Sequence, residues 1–285
     1  MLQLLIFIVL AIASPASKPA SKPASPVVIE TIERELPAGV VRGVLARVDL
    51  TDPRVTVGVW QSDETDPDGD GPMTTTLQTV RHTAAGNDLE LAVNASFFRV
   101  AASKQIAGRT VRYFPGNPAT PVGWLVDGGK IVSRAAGAQR GAIYVERDGT
   151  VAIGAMAEPG TEVVEAVSGG NVLIANGEIV IGDSNERHPR TAVAIAGETL
   201  LLLVIDGRRE GHSVGMTERE LAELLKALGA SDAVNMDGGG SSTVVAEDPA
   251  GTFVVQNKPS DGSELPLPLS IERAVADVIG IDIAE

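Results

Sequence analysis

Apolar side chains recur at short range along this chain. Segments 40–50 (VVRGVLARVDL), 54–61 (RVTVGVWQ), 89–98 (LELAVNASFF) and 122–132 (VGWLVDGGKIV) alternate or cluster them over strand lengths, as do 141–154, 171–182 and 191–207. Many are rich in Val and Ile, which suit a pleated surface. Several break at Asp-Gly or Asn-Gly, the dipeptides that tight hairpin turns prefer. The pattern predicts a sheet-dominated fold.

Helical spacing is rarer. In TERELAELLKALGA (217–230), Leu221, Leu224, Leu225 and Leu228 fall on one face, Thr217 and Glu220 make a capping box, and Gly229 is the stop. A weaker helical signal covers Met73 to Ala84. The capped helix separates two apolar runs, LLLLVI (200–205) and DAVNM (232–236). Strand, helix and strand at this length predict a crossover between parallel strands whose ends share one sheet edge. The expected fold class is therefore α+β: a single sheet-rich domain of mixed strands with two or three helices, including one β-α-β crossover. Asp206 follows the first run and Asp237 the second, which places both carboxylates on one rim, where open α/β sheets hold their ligands.

The N-terminal residues stand apart from this pattern. Leu2 to Ala13 is an apolar run ending in Ala11-Ile12-Ala13, a small-x-small cleavage pattern, so residues 1–13 read as an export signal. The positively charged flank is missing, which leaves a retained anchor as the alternative. The run is shorter than the ~20 apolar residues of a membrane span, and no later stretch is apolar for that long. Residues 14–26 are an Ala/Ser/Lys/Pro spacer around ASKPASKPASP, and 27–285 is the expected domain. The expected location is secreted or in the cell envelope, as for a bacterial cell-surface protein.

Composition narrows the partners. With 44% hydrophobic residues in 285, the chain can bury a sizeable core, and without cysteine it has neither disulfides nor thiolate metal ligands. A net charge of −14 argues against nucleic acid and anionic membranes. The positive charge is nevertheless local: Arg187, His188 and Arg190 form one knot, and Arg208, Arg209 and His212 another. Two basic islands in an acidic protein predict a localised anionic ligand. Oligomeric state is left open.

The densest chemistry lies in AVNMDGGGSST (233–243), where Asp237 precedes Gly238, Gly239 and Gly240, then Ser241, Ser242 and Thr243. One glycine would read as a turn, but three behind a carboxylate predict a backbone nest for an anion, with hydroxyl donors beside it. The serines do not fit G-x-S-x-G, and His82, His188 and His212 do not form H-E-x-x-H, so neither a nucleophile elbow nor a zinc-protease site is predicted. DPDGDG (66–71) opens like a calcium loop but has Leu77 where a bidentate Glu belongs, and reads as an acidic surface loop. No metal or other cofactor is expected. VNASFF ends a strand at Asn94, predicting an amide aimed at a polar substrate beside the aromatic pair Phe97-Phe98.

Together, NASFF (94–98), HPRTAVAI (188–195), VIDGRREGHSVGMTERELAELL (204–225), GASDAVNMDGGGSSTVV (229–245), VVQNKPSD (254–261) and ERAVADVIGI (272–281) resemble the phosphodiester glycosidase family. The likeness runs from about residue 89 to the end. Where the family usually has Gly in its Asn-Gly-Gly-Phe-Phe or Asn-Ala-Gly-Phe-Phe stretch, this chain has Ser96, which is expected to narrow the pocket. The resemblance implies hydrolysis between a sugar anomeric carbon and a phosphodiester, typically of α-linked N-acetylglucosamine 1-phosphate groups. On that basis Asp237 is expected to act at the anomeric centre or its attacking water, with Asp206 as second carboxylate. Arg190 and Arg208 would hold the phosphate, the Gly238–Gly240 backbone and Ser241 would complete the cradle, and Asn94 and Asn235 would bind the sugar. The alternatives are a non-catalytic cell-wall module that binds anionic glycopolymers and a serine hydrolase using Ser241 and His188.

Overall fold

The computed structural model describes residues 24–63, 66–106, 108–134, 140–183, 185–262 and 270–284. The expected signal, 1–13, and the spacer up to residue 23 lie outside the described residues.

Strand Thr199–Ile205 (TLLLLVI) shows how apolar patterning sets the layers. Its Leu200, Leu202 and Val204 point into one core cluster and its Leu201, Leu203 and Ile205 into another, so both faces are buried. A strand apolar on both faces belongs inside a sheet that is covered on each side. It is third in a seven-stranded sheet ordered Val27–Leu36, Gly39–Asp49, Thr199–Ile205, Arg190–Ala196, Asp232–Asn235, Val172–Ala175 and Glu178–Ile179. Every neighbouring pair in it is antiparallel.

Two five-stranded sheets face it. One runs Phe253–Val255, Val244–Glu247, Leu91–Asn94, Asp277–Ile283 and Val55–Gln61; the other contains Leu125–Asp127, Val163–Ser168 and Arg140–Glu146. Between the layers, Val193, Leu202 and Val234 of the large sheet join Val93, Val244 and Ile279 of one small sheet and Ile143 and Val167 of the other in one buried cluster. Full burial of each such side chain contributes about 1.5–3 kcal/mol, which makes this seam a large source of stability.

Only two α-helices occur among the described residues, one on each outer face. Helix Glu218–Ala227 lays Leu221, Ala222 and Leu225 on the large sheet, with the capping box of Thr217 and Glu220 in place. Helix Val80–Gly86 lays Val80 and Ala84 on the small sheet against Ala92, Val245 and Val278. The fold is thus mainly β rather than α+β, because hairpins join antiparallel strands without needing helical crossovers. The helical signal from Met73 holds only after Thr79. The β-branched run Thr74-Thr75-Thr76 enters the short strand Thr75–Thr76 instead, and Thr79 caps the helix by accepting from His82 N at 3.2 Å. No helix of the described residues is long and apolar enough to cross a membrane.

The strands on either side of the capped helix are not neighbours. Arg190–Ala196 lies between Thr199–Ile205 and Asp232–Asn235 and is antiparallel to both, so those two run parallel to each other across it. Arg190 is opposite Ile205 and Ala192 is opposite Asn235. This register brings Arg190, Asp206 and Asp237 to one end of the sheet. From there the chain crosses from the large sheet to the small one, since residues 237–243 connect Asp232–Asn235 to Val244–Glu247.

Candidate active site

The glycine loop is the passage between two sheets, and Asn94 seals it. The Asn94 side chain is fully buried; its Nδ2 donates to the Asp237 carbonyl at 2.7 Å, and its Oδ1 accepts from Thr191 Oγ1 at 2.7 Å and Thr243 N at 3.1 Å. The Asp237 N–H donates to Ala95 O at 2.9 Å. Asn94 therefore holds the loop in place and does not face a substrate, a correction to its expected role.

A pocket of about 330 Å³ opens beside this loop and is lined by Asp237, Gly238, Gly239, Asn235, Arg190 and Arg208, among others. Burial pushes the Asp237 carboxyl up to about 6, against the opposing pull of the Ser241 hydroxyl, the Arg273 and Arg208 guanidinium groups and the Gly238 N–H. The Gly238 N–H donates to Asp237 Oδ1 at 2.9 Å. Ser241 is itself buried, and its hydroxyl has no hydrogen bond of ordinary geometry. The predicted backbone nest is largely spent on the protein's own carbonyls: Gly239 N donates to Pro189 O at 2.9 Å and Ser241 N to Gly238 O at 3.3 Å.

The glycines serve instead to let guanidinium groups come close. Gly239 has φ +64°, and a Cβ there would lie 2.9 Å from Arg208 Nη1; a Cβ on Gly240 would overlap Arg273 and the Asp261 carboxylate. Arg208 is exposed, has φ +55°, and reaches His188 Nδ1 with Nη2 at 3.1 Å. It has no carboxylate partner among the described residues. Arg273 forms a fork with Asp261, Nε to Oδ2 at 2.8 Å and Nη2 to Oδ1 at 2.9 Å, and stacks on the Tyr113 ring at 4.2 Å.

Arg190 also lines the pocket, but its guanidinium is committed: Nε donates to Met216 O at 3.0 Å, Nη2 to Glu186 O at 3.1 Å, and Nη1 to Glu218 Oε1 at 3.4 Å. Glu218, in the first turn of the capped helix, is the second carboxylate in the pocket, and its other oxygen accepts from Asn171 Nδ2 at 2.8 Å. Asn235 is buried and lines the same pocket with an Oδ1 that has no hydrogen-bond partner.

Asp206 reaches the right end of the sheet but not the pocket. It is only 4% exposed, and its carboxylate is engaged by Asn257 Nδ2 and Lys258 N at 3.0 Å each and by His212 Nε2 at 2.8 Å. Asn257 Nδ2 also donates to Ser242 O at 3.0 Å, so Asp206 braces the far end of the glycine loop. The serine-hydrolase pairing is not formed, since Ser241 is buried and His188 is turned to Arg208 and Glu186. Ser96 does not line the pocket; its N–H and Oγ donate to the buried Asp277 carboxylate at 2.7 and 2.6 Å. Burial and the nearby Asp237 charge push Asp277 up to about 6, although the Ser96 bonds oppose this. In the acidic loop, Asp66 and Asp68 cap the loop's own N–H groups, and no cluster of possible metal ligands occurs among the described residues.

Arg273, Glu218 and Asp277 have no distinctive local signal. Arg273 starts an ordinary strand-like segment, Glu218 reads as a helix-start acid, and Asp277 sits within an apolar run.

A model of the family described as phosphodiester glycosidase matches residues 87–282. The chain is 31% identical over 191 residues to N-acetylglucosamine-1-phosphodiester alpha-N-acetylglucosaminidase of Mus musculus, covering 59% of this chain and 34% of that protein. It is 32% identical over 191 residues to the Bos taurus protein of the same name, covering 59% and 33%. The chain thus spans about a third of the length of these relatives. Among solved structures, the zebrafish N-acetylglucosamine-1-phosphodiester alpha-N-acetylglucosaminidase catalytic domain, auto-inhibited by its pro-peptide, superposes with TM-score 0.65 at 24% identity, over 95% of this chain and 86% of that one.

Proposed function

The chain belongs to the phosphodiester glycosidase family, and from that premise we propose that it hydrolyses the bond between a sugar anomeric carbon and the phosphate of a glycosyl phosphodiester, with α-linked N-acetylglucosamine as the sugar. The observation that carries this reading is a carboxyl raised by burial, Asp237, set in a pocket that it shares with two guanidinium groups, Arg208 and Arg273.

The division of work follows from the leaving group. Breaking the anomeric C–O bond releases a phosphate monoester, which departs as an anion and needs charge neutralisation more than a proton. Arg208, exposed and without a carboxylate partner, and Arg273, held edge-on by Asp261, supply that charge. The Asp237 carboxylate accepts the proton of the attacking water or attacks the anomeric carbon itself. Glu218 is the pocket's second carboxylate and takes the place assigned to Asp206, which acts as a positioning residue for the loop. Asn235 Oδ1, buried and without a partner, accepts a hydrogen bond from a sugar hydroxyl or acetamido N–H. Export to the cell envelope, where anionic glycans of this type occur, completes the proposal.

Replacing Asp237 with Asn tests it. Release of phosphate monoester from a small N-acetylglucosamine 1-phosphodiester should fall on the order of a thousandfold while the circular dichroism spectrum and melting temperature stay near those of the parent. Activity near the parent level in the variant would remove Asp237 from the chemistry. A parent protein that binds the diester without turnover would favour the binding-module reading.

A further inference from the structure

One stretch of this acidic chain is free of acid. From Leu91 to Val126 there is no Asp or Glu, although the chain carries 37 of them, and four basic residues, Arg99, Lys104, Arg109 and Arg112, fall within it. The stretch includes a hairpin in which Lys104–Ile106 pairs with Arg109–Val111. Arg99, Lys104, Arg109 and Arg112 are all exposed. Neither Arg99, Lys104 nor Arg112 has a carboxylate partner among the described residues, and Lys104 rests over the Phe114 ring at 3.9 Å. Two half-buried arginines outside this stretch are, by contrast, paired, Arg42 with Glu33 and Arg47 with Glu30.

The hairpin is tied to the pocket. Buried Asn117 donates Nδ2 to the carbonyls of Ala102 and Arg112 at 3.0 and 2.6 Å, which pins its base. Tyr113, next in sequence to Arg112 and 40% exposed, stacks on the pocket's Arg273 and meets Phe98 edge to face, with ring centroids 5.7 Å apart. Arg273, assigned to the leaving phosphate, is thus joined through the exposed face of Tyr113 to the base of a hairpin that carries exposed positive charge.

We propose that this basic hairpin is a docking surface for the continuation of the substrate beyond the scissile bond, and that the substrate is an extended glycan whose repeating units are joined by phosphodiesters. The inference rests on the glycosidase reading and adds the polymeric nature of the substrate to it. A small diester needs only the pocket, and its single charge cannot use basic groups displaced along a hairpin. A chain of phosphodiesters carries one negative charge per repeat and can. In a protein of net charge −14 such a surface also counters the overall repulsion of a polyanion.

The test uses the full chain with Arg99→Gln, Lys104→Gln and Arg112→Gln combined, and two substrates: a small chromogenic N-acetylglucosamine 1-phosphodiester and a polymer of N-acetylglucosamine 1-phosphate repeats. For the polymer, kcat/KM should fall roughly tenfold or more at low salt and the deficit should shrink at high salt, while the small diester stays within about twofold of the parent. Arg99→Lys with Arg112→Lys should keep polymer activity. Co-sedimentation of the polymer with the hairpin variant in an Asp237→Asn background reads docking without turnover. If the parent cleaves neither substrate, the glycosidase reading fails while this binding measurement still decides the docking surface. Equal losses on both substrates, no loss on either, or loss of binding to phosphatidylglycerol vesicles with unchanged polymer binding would overturn the proposal.

Discussion

Asp237 and Asp52 are the same residue type in opposite surroundings. On the surface, hydrogen bonds from Arg54 hold Asp52 at about 2, whereas burial drives Asp237 to about 6 although Arg273 and Arg208 pull it down. Desolvation outweighs two neighbouring guanidinium groups, which leaves a carboxyl that titrates close to neutrality, where a general base is most effective. The consequence can be measured. If the ionised form is the one that acts, kcat/KM for a small diester should climb as pH rises through about 6 and level off above it. A phosphodiester stays singly anionic over that range, so the limb belongs to the enzyme, and a profile flat from pH 5 to 7 would separate the raised carboxyl from the chemistry. Asn94 teaches the converse at this scale: an amide at a strand end next to two aromatics looks like a ligand-binding group, yet its partners are two atoms of the glycine loop and the hydroxyl of Thr191 on a neighbouring strand.

Elements were legible where local chemistry specifies them. The capping box and the leucine stripe of helix Glu218–Ala227 are set by residues three and four apart, and tertiary packing only confirms them. The helix has a functional end, because its first turn holds Glu218 against Arg190 at the pocket. Thr217→Ala removes the bond from Glu220 N at 3.2 Å and should lower stability by about 1 kcal/mol in urea unfolding, with Thr217→Ser restoring most of it. An unchanged midpoint for the alanine variant would mean that the cap contributes nothing. Strand neighbours were less legible than strands. That Arg190–Ala196 lies between the two strands flanking this helix depends on a hairpin turn at Gly197 and on pairing across the sheet, and no periodicity reports either.

For the whole molecule, the carboxyls at the junction of the sheets carry a cost in stability. Asp277 is 1% exposed and has its folded pKa raised to about 6, above the ordinary value near 3.9 of an unfolded Asp. Between about pH 4 and 6 the native state therefore binds more protons than the unfolded state, so the stability that this group contributes in acid is lost as pH rises through 6. Asp277→Asn should remove that dependence. Relative to the parent, the variant should gain up to roughly 3 kcal/mol on going from pH 4 to pH 7, whatever constant offset the altered Ser96 bonds introduce. A difference between the two proteins that stays constant across that range would show that Asp277 is not perturbed. The order of residues was enough to establish a sheet-rich chain, the capped helix, and a carboxylate followed by glycines at a strand end, since periodicity, turn chemistry and capping all act within about a dozen residues. The partner of each charged or amide side chain came from the folding of distant segments onto one another. Asn94 meets Asp237 across 143 positions and Ser96 meets Asp277 across 181. For that reason Asp206 became a brace, Arg273 and Glu218 entered the pocket, and the glycines made room for guanidinium groups, because a polar group's role depends on which neighbours desolvate and satisfy it.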